Sequence, residues 1–235
     1  MWKLMQLEWR KNNVKRYAVA AVALAAILAL FLFALAFLGI AVDPDTGVLD
    51  AAPGSEAISA SVELFTSMVY LVFTSVMLSA FIVRAYQNKT MALMFSYPIK
   101  RQKILVSQML AVWLFAFAAL ALTKLFIYAC LSVGGRFFPS PFLLDMDLTS
   151  VGFYLQLVGK AAVIVSMGFI ALFVGLAMKS GAAAIVSSFL LILLTQANVG
   201  DLTMANSALF PALLTAISLL FAFLAVRGVE RRDLM

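Results

Sequence analysis

The sequence predicts an all-α, polytopic membrane protein with six transmembrane helices and with both termini in the cytoplasm. Hydrophobic residues make up 65% of the 235 residues and charged residues only 12%, whereas soluble domains are about half apolar and about a quarter charged. Six apolar runs are long enough to cross a bilayer core of about 30 Å at about 1.5 Å per residue. The Lys and Arg residues gather on alternate sides of these runs, which is the pattern that sets membrane orientation.

The chain divides into an N-terminal segment, a transmembrane domain and a short tail. Residues 1–16 are predicted to form a cytoplasmic amphipathic segment, residues 17–226 the six-span domain and residues 227–235 a cytoplasmic tail. Each span is an apolar run of sufficient length to reach across the bilayer. The predicted spans lie near 17–42, 62–83, 104–126, 154–177, 182–199 and 207–226.

The distribution of charge fixes the predicted orientation. With the N-terminus in the cytoplasm, 14 of the 17 Lys and Arg residues fall on the cytoplasmic side, and eight of the 11 acidic residues fall on the outer side. An excess of Lys and Arg marks cytoplasmic loops. Because the cations lie at the ends of apolar runs, the net charge of +6 is interpreted as a topology signal and not as a nucleic-acid surface.

The largest predicted cytoplasmic loop, between spans two and three, combines cations with large apolar residues. Within "NKTMALMFSYPIK" (88–100), Met91, Met94 and Phe95 follow the i, i+3, i+4 spacing of one helix face. Pro98 cannot continue that helix. The pattern predicts a short amphipathic helix, and methionine suits a contact that adapts as a partner moves. A helix lying flat on the lipid surface is the alternative interpretation.

Three ionisable residues, Glu63, Lys124 and Lys160, fall inside or beside the predicted spans. Measured along the helices from the cytoplasmic cations, each lies roughly 28–31 Å away, which places it at the outer rim. Two interpretations are open. The side chains extend to the outer headgroups, or they form a charged ring at the mouth of a pathway, with Glu63 paired to one of the lysines. No span carries an acid near its centre, where an ion-coupled carrier most often needs one.

Small residues predict close helix packing in two spans. Gly168, Ala171 and Gly175 are spaced three and four apart in the fourth span, which puts them on one helix face. The first span is rich in alanine, with Ala18, Ala21, Ala25 and Ala29. Either set of small residues, in the fourth span or in the first, could pack within the chain or between two chains.

The sequence contains no pattern typical of an enzyme, and we expect no catalytic, cofactor-binding or metal-binding residues. It has no histidine and one cysteine, Cys130, so neither an internal disulfide nor a Cys/His zinc site can form. The stretch "GFYLQLVGKA" (152–161) differs from a phosphate-binding loop, because six residues separate its glycines and Ala161 follows the lysine.

The loop between spans two and three carries a resemblance to a known family. "NKTMALMFSYPIKRQKIL" (88–105) resembles the cytoplasmic coupling segment of type-2 ABC exporter permeases, through Thr90, the pair Leu93–Met94 and the run Pro98–Arg101. Six spans, internal termini, an amphipathic N-terminal segment and the tight turn in "GLAMKSGAAA" also agree with that family. The family often has a glutamate just before this segment, whereas here Ala85 precedes Tyr86.

The resemblance implies the membrane subunit of an ATP-driven exporter in a bacterial cytoplasmic membrane. In that family two permease subunits, identical or homologous, pair in the bilayer, and two separate ATP-binding subunits hold the ATP and magnesium. The substrates of small members are often hydrophobic or amphipathic, such as peptide antibiotics, other drugs or lipids. Export of such a substrate confers resistance or immunity on the cell. Residues of the coupling segment meet the ATP-binding subunit or headgroups: Met91, Met94, Phe95, Tyr97, Pro98, Lys100 and Arg101.

Two other functions remain open beside the exporter. One is a membrane scaffold or regulator that recruits a cytoplasmic partner without transport. The other is a secondary carrier, which the lack of acids near the span centres disfavours.

Overall fold

Eight helices and one pair of short strands make up the part of the chain that the computed structural model describes, residues 2–42, 49–50, 55–87, 101–137, 150–195 and 209–232. The all-α class predicted from the sequence is confirmed, the two-residue strands apart. The elements are α1 (Trp2–Lys11), α2 (Val14–Phe37), β1 (Ala41–Val42), β2 (Leu49–Asp50), α3 (Ser55–Leu78), a π-helical turn (Ser79–Val83), α4 (Arg84–Gln87), α5 (Arg101–Phe137), α6 (Val151–Ala177), α7 (Gly181–Thr195) and α8 (Leu209–Arg232).

Five of the described helices are long and apolar enough to cross a membrane, and the protein is therefore a multi-pass membrane protein. They correspond to the predicted spans one, two, three, four and six. In the most apolar 18-residue stretch of α2, only 22% is buried within the protein, against 72% for the corresponding stretch of the second span. Much of the apolar surface of α2 is therefore left to lipid. The spans are Val14–Phe37, Ala57–Val83, Gln102–Phe137, Val151–Ala177 and Phe210–Gly228.

The fifth predicted span corresponds to α7, which the structure describes over Gly181–Thr195. This helix has 15 residues, a length of about 22 Å against a bilayer core of about 30 Å. Residues 196–208, which include the end of that predicted span, lie outside the described residues. The count of six spans and the cytoplasmic location of both termini stay predictions.

The first span ends earlier than the apolar run suggests. Gly39 adopts a φ of +68°, a conformation that glycine reaches at little cost. The Ile40 amide donates to the Leu35 carbonyl at 3.0 Å and the Gly39 amide to Ala36 at 3.2 Å, which is a Schellman C-cap. The helix therefore stops at Phe37, and the apolar residues beyond the turn form β1, which pairs antiparallel with β2.

Helix α5 is longer than its predicted span. It has 37 residues and ends at Phe137, 11 residues beyond the predicted end near 126. Apolar residues continue through Val133, and no proline lies between Arg101 and Pro139. The backbone remains α-helical over roughly 55 Å, and the two adjacent glycines near its end do not interrupt it.

A three-residue turn joins α6 to α7, as the sequence predicts. Lys179 has a φ of +50°, and the Ser180 amide donates to the Gly175 carbonyl at 3.0 Å. The Ser180 hydroxyl then accepts a hydrogen bond from the Ala183 amide at 3.4 Å. One serine thus closes α6 through its backbone and caps the start of α7 through its side chain.

The chain forms two compact units, and four helices contribute residues to both. The first unit comprises 1–15, 70–117 and 162–235, and its fully buried side chains include Tyr70, Leu105 and Met167. The second unit comprises 16–69 and 118–161. Its fully buried side chains include Val62, Leu120, Lys124, Ile127 and Leu131.

Within the first unit, the short helix α1 is fixed to the first half of α5 by polar contacts. The Trp9 indole Nε1 donates to the Ala111 carbonyl at 3.1 Å. The Gln108 Nε2 donates to Glu8 Oε1 at 3.1 Å, and the Asn12 amide donates to Glu8 Oε2 at 3.3 Å. Glu8 and Gln108 are both buried. These bonds set which face of α1 points away from α5.

Candidate functional site

The second unit contains a buried ion pair between two membrane-crossing helices. Lys124 Nζ of α5 lies 2.7 Å from Glu63 Oε2 of α3. The Lys124 side chain is fully buried, whereas that of Glu63 is 23% exposed. An ammonium group is rarely buried unless it is paired, because its desolvation costs several kcal/mol, as an order of magnitude. The contact with Glu63 is therefore what makes this position of Lys124 tenable.

Two further side chains belong to the same cluster. Tyr128 lies one helical turn after Lys124 on α5 and is only 4% exposed. Its ring packs edge-on against Phe153 of α6 at a centroid distance of 5.0 Å. Lys160, also on α6, is half-buried and close enough for its charge to repel that of Lys124. The cluster thus contains one carboxylate and two ammonium groups, and it carries a net positive charge.

The hydroxyl groups of α3 next to Glu63 are satisfied within their own helix. Thr66 Oγ1 donates to the Val62 carbonyl at 2.6 Å, and the Ser67 hydroxyl donates to the carbonyl of Glu63 itself. These bonds are directed to backbone carbonyls and leave the carboxylate of Glu63 available to the lysine. The charged part of the cluster is consequently the carboxylate and the two lysines.

The structure brings Glu63 and Lys124 together and buries Lys124 completely. The sequence places Lys124 at the outer rim by its distance of 21 residues from Lys103, roughly 31 Å along a helix. In the structure α5 continues for 13 residues past Lys124 to Phe137, which is roughly 20 Å. Tyr128 is not among the site residues predicted from the sequence, although its i, i+4 spacing from Lys124 places both on one helix face.

The small residues of the fourth span lie against helices of the same chain in the first unit. A Cβ added to Gly168 would lie 2.8 Å from Thr74 Cγ2 of α3, and one added to Gly175 would lie 2.6 Å from Ala184 Cβ of α7. Ala171, between them, is fully buried. This face of α6 therefore permits close helix approach. Of the four alanines of the first span, Ala21 and Ala29 are buried, and Ala18 and Ala25 are half-buried.

The π-helical turn lies in the same tightly packed region. Ser79 Oγ donates to the Gly181 carbonyl at 3.2 Å, and a Cβ added to Gly181 would lie 2.5 Å from that hydroxyl. Phe81, Ile82 and Val83 are buried. The last turns of this helix before residue 88 are thus held by packing and by one hydrogen bond to the start of α7.

The predicted coupling segment falls on residues that the structure does not describe. Residues 88–100 lie outside the described ranges, and these include Met91, Met94, Phe95, Tyr97, Pro98 and Lys100. Arg101 is the first residue of α5, but its side chain is not described. The described helices on the two sides are α4, which ends at Gln87, and α5.

The second unit also has an apolar groove between α2 and α5. Its volume is about 570 Å³, and Cys130 in its wall carries a free thiol. A lining without polar groups suits hydrocarbon and not ordered water. The lining residues are Ala29, Leu30, Phe33, Phe126, Ala129, Cys130, Val133, Gly134 and Phe137.

Comparisons with known proteins give one distant relative. The chain is 25% identical over 180 residues to the uncharacterized protein YcbO of Bacillus subtilis (strain 168), a match that covers 72% of this chain and 74% of the relative. No family model matches the chain, and no solved structure matches it. Among the described residues, no group of three His, Cys, Asp or Glu side chains is placed to hold a metal ion.

Proposed function

We propose that this protein is the membrane subunit of an ATP-driven exporter for a hydrophobic or amphipathic substrate, powered by a separate ATP-binding subunit that docks on residues 88–100. The observation that carries the proposal is chain connectivity. The helix ending at Gln87 and the helix beginning at Arg101 are the two that carry Glu63 and Lys124. Any displacement of the segment between them acts directly on the two helices that hold the buried ion pair.

The buried ion pair supports transport over a purely structural role. Ionisable residues within membrane-crossing helices are rare, and they usually face a bundle interior or a substrate pathway. Replacing such a pair by apolar residues is often neutral or favourable for stability, so stability alone gives little reason to retain it. In the proposed function, Glu63 and Lys124 hold α3 and α5 together in one state of the transport cycle.

The proposed docking site predicts which substitutions uncouple the ATP-binding subunit. Interface energy concentrates in large buried side chains, each contributing about 2 kcal/mol or more, whereas rim charges mainly change encounter rates. Phe95→Ala and Met94→Ala should therefore reduce co-purification of the ATP-binding subunit from membranes by about tenfold or more. Lys100→Gln, the matched control in the same segment, should reduce it only modestly.

Transport in reconstituted vesicles separates the proposal from its alternatives. The expected result is ATP-dependent, vanadate-sensitive export by the complex of this chain and its ATP-binding subunit. Partner binding without transport would favour a scaffold or regulator. Transport driven by an ion gradient in the absence of ATP would favour a secondary carrier. Retention of the ATP-binding subunit by both alanine variants at the wild-type level would remove residues 88–100 as the docking site.

The proposed orientation has its own test. In a Cys130→Ser background, a cysteine at Ser55 should react with an impermeant thiol reagent added to intact cells, and one at Gln102 should react only after the cells are opened. The reason is the excess of Lys and Arg on the side that contains Gln102. The reverse labelling pattern would place the termini outside.

A further inference from the structure

The outward half of α1 is cationic and partly apolar. At about 100° per residue, Trp2, Gln6, Arg10, Lys3, Leu7 and Lys11 follow one another around half of the helix, and the structure leaves all six exposed. Lys3 and Arg10 lie about 20° apart at the centre of this half. Trp2 is 58% and Leu7 60% exposed at its two sides.

The inward half holds the single acid of this part of the chain. Glu8 is the only acidic residue among the first 42. It is 7% exposed and accepts hydrogen bonds from Gln108 and Asn12 at 3.1 and 3.3 Å. The bond from Trp9 to the Ala111 carbonyl fixes the helix in the same orientation. The fold thus directs the carboxylate of Glu8 towards α5, and the outward half of α1 carries no negative charge.

The position of α1 in the chain places this helix close to a bilayer surface. A two-residue turn, Asn12–Asn13, connects α1 to α2, which is long and apolar enough to cross a membrane. Lys15, in the first turn of α2, is exposed as well. A helix so close to the start of a membrane-crossing helix meets headgroups, where Trp is favoured and Lys and Arg find phosphate groups.

We propose that the outward half of α1 binds anionic phospholipid headgroups, with Lys3 and Arg10 as the principal contacts. The complementarity is one of charge, since a guanidinium group pairs with phosphate through two hydrogen bonds. The Trp2 and Leu7 side chains enter the boundary between headgroups and acyl chains, as in interfacial amphipathic helices. The buried contacts of Glu8 and Trp9 position the helix for this contact. This inference does not depend on the proposed transport function.

The test measures lipid binding to the full-length chain purified in detergent. Native mass spectrometry gives dissociation constants for dioleoyl phosphatidylglycerol and for dioleoyl phosphatidylcholine. Wild-type protein should prefer the anionic lipid. Each basic residue at an anionic surface changes affinity by about fivefold, so Lys3→Gln with Arg10→Gln should weaken phosphatidylglycerol binding by roughly 25-fold and leave phosphatidylcholine binding unchanged.

A second double variant distinguishes a site on α1 from attraction to the charge of the whole protein. Arg84→Gln with Arg136→Gln removes two exposed cations elsewhere and should change phosphatidylglycerol binding by less than threefold. Equal losses in the two double variants, or no preference for the anionic lipid in the wild type, would overturn the proposal.

Discussion

Removing Glu63 should destabilise the protein far more than removing Lys124, although the two residues form one ion pair. Glu63→Gln leaves an ammonium group that is fully buried, with Lys160 near enough to repel it. Breaking a buried pair in this way costs about 3–5 kcal/mol. Lys124→Met leaves a carboxylate that is 23% exposed and therefore partly hydrated, so the expected loss is only about 1–2 kcal/mol.

The double variant Glu63→Gln with Lys124→Met tests whether the asymmetry comes from the unpaired charge. It removes both charges, so it should be more stable than Glu63→Gln alone, and the coupling in the double-mutant cycle should be clearly non-additive. The free energy of unfolding can be measured by steric trapping in bicelles. Arg136→Met, which removes an exposed cation of the same helix, should stay within about 0.5 kcal/mol of the wild type. Equal, small losses in both single variants would refute this argument.

Two further predictions concern packing in the first unit. Gly175→Ala should destabilise the protein by about 1–3 kcal/mol, because the new Cβ would lie 2.6 Å from Ala184 Cβ. In the control variant Gly159→Ala the new Cβ meets nothing within 4 Å, so this variant should be neutral or stabilising. Thermal melting in detergent compares the two variants, and equal melting temperatures would contradict the prediction. Trp9→Phe should lower the free energy of unfolding by about 1 kcal/mol, because it removes the 3.1 Å hydrogen bond to the Ala111 carbonyl. Limited proteolysis within α1 should then become faster. Unchanged cleavage rates would show that this bond does not hold the helix in place.

The membrane character of the protein was predictable because it depends on composition and on the length of apolar runs, which are properties of the sequence alone. The positions of five spans followed from the same signal. The ends of the helices were less predictable, since they depend on local conformations such as the positive φ of Gly39. Apolarity continues beyond that turn and conceals it in a hydropathy pattern.

The ion pair shows where the sequence ceased to be informative. Distances along each helix could be counted, but which lysine faces Glu63 depends on the rotation of α3 against α5, and a single sequence does not specify that rotation. An ion pair exposed at the outer rim would contribute only about 0–1 kcal/mol. The complete burial of Lys124 changes the expected magnitude and makes the two partners unequal.

The π-helical turn at Ser79–Val83 determines how this helix accommodates a change in chain length. A π turn contains about one residue more than an α turn, so the extra residue is taken up within a single turn. Loss of one codon in this stretch would restore a regular α-helix and leave Arg84–Gln87 in nearly the same orientation. Loss of one codon in a regular part of α3 would instead rotate the residues of the helix that follow by about 100°, so the π turn is the place where this helix best tolerates the deletion of one residue.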